Sequence, residues 1–260
     1  MRKQIEYKMK DGNIIPALGL GTWKLVGTEC SRVIRMAIKL GYKHIDTAEI
    51  YGNQREIGEA LRDFDRSKVF LTSKVWKDHM HFNDVIKACN RTLEDLKSDY
   101  LDLYLIHWPN EEVSVAETFR AFEKLLRDRK IKSVGVSNFT IAHLKDALRV
   151  AKIPITVNQV EFHPYNYQRE LLDFCKDNNI VLTAYSPLGE GELLREKTIK
   201  EIADKYNRTP AQICIRWSLQ KGIVVIPKAS SEDHLNENLD IFDWAISEED
   251  VKRLDSLAKK

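Results

Sequence analysis

The chain has 260 residues, of which 43% are hydrophobic and 31% are charged, the balance of an ordinary globular protein. Its 41 basic residues nearly cancel its 39 acidic residues and leave a formal net charge of +2, which gives no case for binding nucleic acid or a membrane surface. The N-terminus has no apolar signal core and no apolar run reaches membrane-spanning length, so we expect a cytoplasmic protein.

The four cysteines are scattered along the chain, with no CxxC pair and no spacing typical of a zinc site. Three of them fall within segments whose pattern predicts amphipathic helices. We interpret them as reduced, buried thiols. They are Cys30, Cys89, Cys175 and Cys214.

The chain opens with loosely alternating apolar residues around Asp11-Gly12, a good turn pair, which predicts a β-hairpin ahead of the main fold. Short apolar runs then alternate with longer amphipathic stretches. Eight of these runs are typical of strands: 16–21, 42–46, 69–74, 101–107, 133–138, 155–160, 180–185 and 223–228.

The stretches between the runs have helical periodicity, for example over 33–38, 115–126 and 144–151. Asn and Thr residues that precede several of them are plausible N-caps. Strands separated by helices predict βαβ units and a parallel sheet. Eight such units favour a closed (β/α)8 TIM barrel of the α/β class, and the absence of a linker-like segment predicts one domain over 1–260. The segment 247–260 predicts a terminal amphipathic helix that covers the barrel.

An open, doubly wound sheet is the competing fold. Its dinucleotide-binding form requires GxGxxG between the first strand and the first helix. Gly19 and Gly21 begin that pattern, but Trp23 and Lys24 follow and the third glycine is missing. We interpret the lone GxG as a tight turn.

The predicted strands all end in polar or aromatic residues. In TIM barrels the chemistry gathers at the carboxyl ends of the strands, so this ring predicts a pocket. The ends are, in order, Gly21-Thr22-Trp23, Asp46, Lys74, His107-Trp108, Ser137-Asn138, Asn158-Gln159, Tyr185-Ser186 and Lys228.

The residue types at these ends disfavour two other chemistries. A glycosidase needs a pair of carboxylates, whereas the middle strands end in Lys and His. A metal hydrolase needs clustered His, Asp or Glu ligands. Glu161 and His163 could supply two ligands, but we interpret this pair as a loop salt bridge or cap and expect no metal.

Tyr51 lies five residues beyond Asp46, on the loop that leaves the second strand. A free tyrosine titrates near ~10. A neighbouring Lys74 would lower that pKa, and Asp46 would hold the lysine in place. A neutral His107 could orient a carbonyl oxygen, so the four residues could protonate an alkoxide as hydride reaches its carbon.

At these residues the sequence resembles the aldo-keto reductase superfamily. Segments 41–61, 93–109 and 226–238 are similar to the three signatures of that family, in order. The resemblance implies a TIM-barrel carbonyl reductase with the catalytic tetrad Asp46, Tyr51, Lys74 and His107. Tyr51 would be the general acid in reduction and the base in alcohol oxidation.

The resemblance also implies that NAD(P)H binds across the barrel mouth without a Rossmann motif. Ser137, Asn138 and Gln159 match residues that hold the nicotinamide carboxamide, and Tyr185 matches the aromatic residue that stacks on the ring. The other cofactor residues implied are Thr22, Ser186 and Leu188 near the strand ends, Lys228, Ser230 and His234 near the 2′-phosphate, and Glu237 and Asn238 near the adenine.

The 2′-phosphate site departs from the family pattern. Lys228 supplies a positive charge, but Ala229 stands where the family usually has Ser, and His234 stands where an Arg is common. Histidine cannot form the bidentate, permanently charged contact of Arg. We expect NADPH as the cofactor, with NADH as an alternative.

The resemblance places Trp23, Trp76 and Trp108 around the substrate pocket. The segments 111–115 and 189–195 leave little room for long specificity loops, so we expect an open, permissive site for small carbonyls. The main alternative is a non-catalytic NADP(H)-binding regulatory subunit on the same barrel, against which the intact tetrad argues. The family-level expectation for the oligomeric state is a monomer.

Overall fold

Eight short parallel strands form the inner wall of the fold in the computed structural model, which describes residues 4–258. These eight strands are β3 (Leu20–Gly21), β4 (His44–Asp46), β5 (Phe70–Val75), β6 (Leu101–Ile106), β7 (Ile131–Ser137), β8 (Val157–Glu161), β9 (Val181–Tyr185) and β10 (Val224–Val225), and they are preceded by a separate antiparallel pair, β1 (Glu6–Lys8) and β2 (Ile14–Pro16). The helices are α1 (Gly27–Leu40), α2 (Gln54–Leu61), α3 (Phe82–Leu96), α4 (Val115–Arg127), α5 (Ile141–Val150), α6 (Arg169–Asp177), α7 (Lys197–Tyr206), α8 (Pro210–Gln220), α9 (Glu232–Leu239) and α10 (Glu248–Asp255).

The parallel sheet runs in sequence order from β3 to β10 and closes on itself. A parallel bridge joins Leu18 to Val225, and backbone hydrogen bonds on either side complete the ring: Gly19 N to Val225 O at 2.8 Å and Val225 N to Ala17 O at 2.9 Å. The predicted (β/α)8 barrel is confirmed. The last strand is shorter than predicted: β10 ends at Val225, and Pro227, two residues later, has no N–H to donate.

The N-terminal hairpin is also confirmed, and it covers the amino-terminal end of the barrel. β1 and β2 pair antiparallel around Gly12, whose φ of 92° is accessible to glycine. Met9 and Ile15 of the hairpin are buried against side chains inside the barrel. That cluster consists of Met9, Ile15, Leu103, Leu105, Val157 and Val224. The opposite, carboxyl-terminal end of the barrel is therefore the one left for a pocket.

Gly19 and Gly21 do not form the tight turn that we expected, because Gly21 belongs to strand β3 and Gly19 bonds to the closing strand. A Cβ at Gly19 would lie 2.6 Å from Nδ1 of His44, and a Cβ at Gly21 would lie 2.6 Å from the carbonyl oxygen of Ile226. The two glycines therefore allow the first barrel strand to approach both of its neighbours closely.

The helices form the outer layer and follow the predicted periodicity. Thr140 and Thr209 are N-caps of α5 and α8, each with a complete capping box, which satisfies backbone N–H groups at the helix start. All four cysteines are buried, as predicted, and all four lie in helices rather than three. Within residues 4–258, no helix is both long enough and apolar enough to cross a membrane.

The terminal helix α10 is shorter than predicted, ending at Asp255, and residues 259–260 of the predicted segment lie outside the described residues. Its buried anchor is Asp250. Burial raises the pKa of this carboxyl, but side-chain hydrogen bonds from Lys205, Tyr206, Ser247 and Arg253 outweigh burial and bring it to about 2. The carboxylate thus ties α10 to α7.

Replacing Asp250 with Asn should lower the free energy of unfolding by about 2 kcal/mol, because the charged acceptor of several buried hydrogen bonds is lost. Urea unfolding at pH 7 measures this difference. Glu249→Gln, which removes an exposed carboxylate from the same turn, should leave the stability unchanged.

The same substitution should also change the response to acid. The folded-state pKa of Asp250 lies below the ordinary 3.8, so its contribution is present above about pH 4 and is lost as the pH falls through about 2. Asp250→Asn should therefore lose less stability than the native chain over this range. Equal losses in both proteins would contradict the assignment.

Candidate active site

A buried ion pair joins the carboxyl ends of β4 and β5. Lys74 Nζ lies 2.5 Å from Asp46 Oδ1, and the two side chains are 0% and 2% exposed. Nζ also donates to the carbonyl oxygen of Thr47 at 2.9 Å. Burial lowers the pKa of Lys74, but the attraction and hydrogen bonds of Asp46 and Tyr51 outweigh burial and leave it above its ordinary value. The lysine is therefore charged at neutral pH.

Tyr51 ends a single 3-10 turn, Glu49–Tyr51, which follows β4. Its hydroxyl oxygen lies 3.5 Å from Lys74 Nζ, and the ammonium is also 5.1 Å from the ring centroid. Burial raises the pKa of Tyr51, and Lys74 lowers it by less. The net pKa shift is upward, because the removal of the phenol from water has a larger effect than the charge of Lys74. Our expectation of a lowered pKa was therefore wrong for the net shift, although Lys74 acts in the expected direction. The phenol is protonated at neutral pH.

His107 follows β6 and packs against two aromatic rings. Its ring centroid lies 5.7 Å from that of Tyr51 and 5.2 Å from that of Trp76, both edge to face. Burial, followed by the charge of Lys74, lowers the pKa of His107 to about 3. The imidazole is therefore neutral, as the sequence predicted. Its Nδ1 is buried and has no hydrogen-bond partner among residues 4–258.

The carboxyl ends of β7, β8 and β9 carry amide and hydroxyl groups that connect to the tetrad. Gln159 Nε2 donates to Asp46 Oδ2 at 2.8 Å, and Ser137 Oγ donates to the backbone oxygen of Gln159 at 2.8 Å. Asn138 Nδ2 donates to the backbone oxygen of His107 at 3.0 Å, and Tyr185 Oη donates to Asn138 Oδ1 at 2.9 Å. These groups therefore form one continuous network with the ion pair.

Asn138 adopts the left-handed conformation, with a φ of 61°. Asn tolerates this region better than most residues other than Gly. The conformation comes directly after the strand, where the Asn138 side chain can bond both to the end of β6 and to Tyr185. The left-handed conformation of Asn138 thus allows its side chain to pair with Tyr185.

Of the remaining predicted cofactor residues, several line the same cavity. Thr22 is buried and donates through Oγ1 to the backbone oxygen of Asp46 at 2.9 Å. Ser186, with a φ of 46°, and Leu188 lie just beyond β9, and the exposed Lys228 lies beyond β10. All four therefore line one continuous cavity with three members of the tetrad: Asp46, Tyr51 and His107.

The other four residues predicted for the 2′-phosphate and adenine lie farther along the chain than Lys228, outside the lining of that cavity. Ser230 accepts through its backbone oxygen from Arg32, and His234 is exposed in the first turn of α9. Glu237 accepts from the hydroxyl of Thr209, while Asn238 is buried. The structure places these four residues together on one segment, 230–238, and not beside the tetrad.

The cavity at the barrel mouth has a volume of about 760 Å³, within the range of small-molecule sites. Trp23, Trp76 and Trp108 all line it, and Trp23 and Trp108 are 48% and 42% exposed. The full lining is Gly21, Thr22, Trp23, Lys24, Asp46, Ile50, Tyr51, Trp76, His107, Trp108, Ser137, Asn138, Gln159, Glu161, Tyr185, Ser186, Pro187, Leu188, Glu190, Gly191, Ile226, Pro227 and Lys228.

The sequence reasoning did not single out Asn53, which holds the loop that carries Tyr51. Its side-chain nitrogen donates to the backbone oxygens of Thr22 and Leu25 at 2.8 and 3.0 Å, and its oxygen accepts from Thr47 Oγ1 at 2.9 Å. Asn53 is fully buried. A polar residue at the start of a helix, two positions after the candidate acid, was the available signal.

The pair considered as a metal site forms a contact of its own. His163 Nε2 lies 3.2 Å from Glu161 Oε1, in agreement with the interpretation as a loop salt bridge or cap. Among residues 4–258 no group of three or more His, Cys, Asp or Glu side chains is arranged to hold a metal ion.

A closed TIM barrel with a tyrosine, a charged lysine, a carboxylate and a neutral histidine at its mouth defines the class of protein as a barrel oxidoreductase. Comparison with known proteins identifies the family. The sequence model of the Aldo/keto reductase family matches residues 17–259. The chain belongs to this family, whose members reduce aldehydes and ketones with a nicotinamide cofactor.

Relatives and solved structures agree with this assignment. The chain is 45% identical to the glyoxal reductase of Bacillus subtilis, over 97% of this chain and 92% of that protein. It is 43% identical to aldose reductase B of Dictyostelium discoideum, over 98% and 93%. The crystal structure of MGS-M4, an aldo-keto reductase from a deep-sea metagenome library of the Medee basin, superposes with a TM-score of 0.95 at 41% identity, over 98% and 96%.

The low pKa of His107 predicts that its ring stays neutral from about pH 5 to 8, in contrast to an ordinary histidine with a pKa near ~6.5. Nitrogen-15 NMR of histidine-labelled protein measures the protonation state, and the His107 signal is assigned by its loss in His107→Gln. Titration of that signal near pH 6.5 would show that the ring is not desolvated as described.

Proposed function

We propose that the chain transfers hydride between a nicotinamide cofactor and small aldehydes, ketones or the corresponding alcohols, with Tyr51 as general acid and base. The observation that carries this proposal is the position of the Lys74 ammonium, 2.5 Å from Asp46 Oδ1 and 3.5 Å from Tyr51 Oη. A fixed positive charge, buried behind the cavity wall, thus lies beside both its counter-ion and the proton donor, which line the cavity.

Each member of the tetrad has a separate part in moving the proton. Tyr51 is protonated at neutral pH and can donate to a carbonyl oxygen that gains negative charge. Lys74 stabilises the phenolate that this donation leaves, because the ammonium is within contact distance and is kept charged by Asp46. In alcohol oxidation the same phenolate would accept the proton.

The neutral His107 can orient the substrate without competing for the proton. With a pKa of about 3 it carries no extra proton at neutral pH and does not act as the acid. A neutral imidazole can still donate one hydrogen bond to a carbonyl oxygen. Its edge-to-face contacts with the rings of Tyr51 and Trp76 restrict its rotation. A carbonyl oxygen bonded to both Tyr51 and His107 would be fixed in one orientation.

The residues present fit a nicotinamide cofactor. The cavity offers the ring of Tyr185, the amide side chains of Asn138 and Gln159, and the exposed Lys228 within one continuous lining. When bound, the cofactor supplies or accepts the hydride. Asn138 and Gln159 would hold its carboxamide, Tyr185 would contact the ring face, and Lys228 would pair with a phosphate.

The shape of the rim favours small and apolar carbonyl substrates. Trp23, Ile50 and Trp108 expose large apolar surfaces beside the tetrad, and such surfaces in a concave site bind apolar groups. The names of the relatives, a glyoxal reductase and an aldose reductase, add short oxoaldehydes and sugars as probes. We propose a permissive range within these classes.

Tyr51→Phe should lower kcat/KM for carbonyl reduction about 10²- to 10⁴-fold, because the proton donor is lost while the ring remains. NADPH consumption with methylglyoxal, glyceraldehyde and p-nitrobenzaldehyde measures the activity, and fluorescence titration measures cofactor affinity, which should be unchanged. An active Tyr51→Phe variant would refute the tyrosine mechanism. An inactive native chain that binds NADPH tightly would instead favour a regulatory subunit.

We also propose that NADPH is the preferred cofactor and that the histidine at position 234 weakens its binding. His234→Arg should strengthen NADP⁺ binding about 10- to 100-fold, because the permanently charged, planar guanidinium of Arg makes bidentate contacts with a phosphate that an imidazole cannot make. Binding of NAD⁺, which lacks the 2′-phosphate, should not change.

Asn236→Arg is the matched control, since it adds the same charge at another exposed position of α9. If it strengthens NADP⁺ binding as much as His234→Arg does, the gain reflects net charge alone. Equilibrium fluorescence titration of both variants with both cofactors decides between the two explanations.

A further inference from the structure

The segment from the end of β5 to the first residue of α3, residues 76–82 and called the loop below, supplies one wall of the candidate substrate pocket through Trp76. The Trp76 ring packs edge to face on His107, with 5.2 Å between ring centroids. We propose that Glu49 is a positioning residue for this wall: its carboxylate fixes the start of the loop to the turn that carries Tyr51. This inference rests on the proposed function, because it takes the Trp76 ring as a substrate contact.

One carboxylate oxygen of Glu49 accepts two hydrogen bonds from the loop. The backbone N–H of Trp76 donates to Glu49 Oε1, and His79 Nδ1 lies 3.1 Å from the same oxygen. The Glu49 side chain is only 16% exposed. Since a largely buried carboxylate forms strong, short hydrogen bonds with N–H donors, this contact fixes the position of the Trp76 backbone.

Glu49 belongs to the same 3-10 turn as Tyr51, two residues earlier. The carboxylate therefore couples two elements that the covalent chain separates by 25 residues: the turn with the proton donor and the loop with the aromatic wall. Because His107 packs against both Tyr51 and Trp76, the spacing of these rings depends on that coupling.

The loop is also held by one internal hydrogen bond and by contacts with two other segments. Trp76 Nε1 donates to Asp78 Oδ2 at 3.1 Å. Asn110 Nδ2 donates to the backbone oxygen of Lys77 at 2.8 Å. At the far end, Glu117 of α4 accepts from the backbone N–H of Phe82 at 2.9 Å. Loss of Glu49 should therefore release the Trp76 end of the loop while the far end stays attached.

Glu117 is the matched control for Glu49. Each is a partly exposed carboxylate that accepts a backbone N–H of the same loop and also contacts a histidine, His79 for Glu49 and His81 for Glu117. Only Glu49 is next to the tetrad. Glu49→Ala and Glu117→Ala therefore both remove one loop anchor, but they release opposite ends.

The experiment is a double-mutant cycle of Glu49→Ala and Trp76→Ala, with KM and kcat measured for p-nitrobenzaldehyde and for methylglyoxal. Glu49→Ala should raise KM for the aromatic aldehyde about tenfold, the size of effect expected from a displaced pocket wall. KM for methylglyoxal, which is too small to need the indole, should change little. In the Trp76→Ala background, Glu49→Ala should raise KM no further.

Two further variants separate positioning from general loss of structure. Glu49→Gln keeps an acceptor oxygen for the Trp76 N–H and should restore most of the affinity for p-nitrobenzaldehyde. Glu117→Ala should leave both KM values unchanged. Equal effects of Glu49→Ala in the two backgrounds, or an equal rise in KM from Glu117→Ala, would overturn the proposal.

Failure of the proposed function gives a different result. If Trp76→Ala alone does not alter KM for p-nitrobenzaldehyde, the indole is not a substrate contact, and the proposed placement of the substrate is wrong. If Trp76→Ala raises KM but Glu49→Ala does not, the substrate site stands and the positioning role of Glu49 is wrong.

Discussion

The ion pair between Lys74 and Asp46 is the interaction on which the rest of the site depends. A lysine with no exposed surface is stable in its charged form only if a carboxylate and further hydrogen bonds replace its water. Asp46 supplies the carboxylate, and both of its oxygens are engaged, one by Lys74 and the other by Gln159. The pair thus fixes the ends of β4, β5 and β8 relative to one another.

The same ion pair also affects the ionisation of the buried Tyr51. Removal from water keeps the Tyr51 phenol protonated, while the nearby ammonium stabilises the anion that forms when the proton leaves. The same burial and the same charge keep His107 neutral. Burial therefore favours the neutral form of both groups, since it raises the pKa of the phenol and lowers the pKa of the imidazole.

Barrel closure makes the arrangement possible. The first strand lies close to both of its neighbours because Gly19 has no Cβ to collide with His44 of β4 and Gly21 has none to collide with the backbone oxygen of Ile226, which follows β10. The hairpin then fills the amino-terminal end, which leaves the carboxyl ends of the strands as the open mouth. Side chains that lie far apart in the sequence meet there because parallel strands of a barrel all end on the same side.

Much of this could be predicted from the sequence, because its signals are local. Alternation of apolar runs with helical periodicity predicted the eight βα units and the hairpin, and a polar residue after each run predicted the ring at the mouth. Three signature segments predicted the family and, with it, the tetrad. Local patterns report which face of an element is buried and where it ends, and both are properties of a few neighbouring residues.

Only the tertiary structure decided the balance of opposing effects and the contacts between distant loops. The sequence could place Lys74 near Tyr51, but the sign of the tyrosine pKa shift depends on how completely both are removed from water. Likewise, no local pattern connects Glu49 to the Trp76 N–H, or Asn53 to the backbone of Thr22. The sequence determined which groups are present and which face they occupy; their desolvation and their partners depend on the packing of the whole barrel.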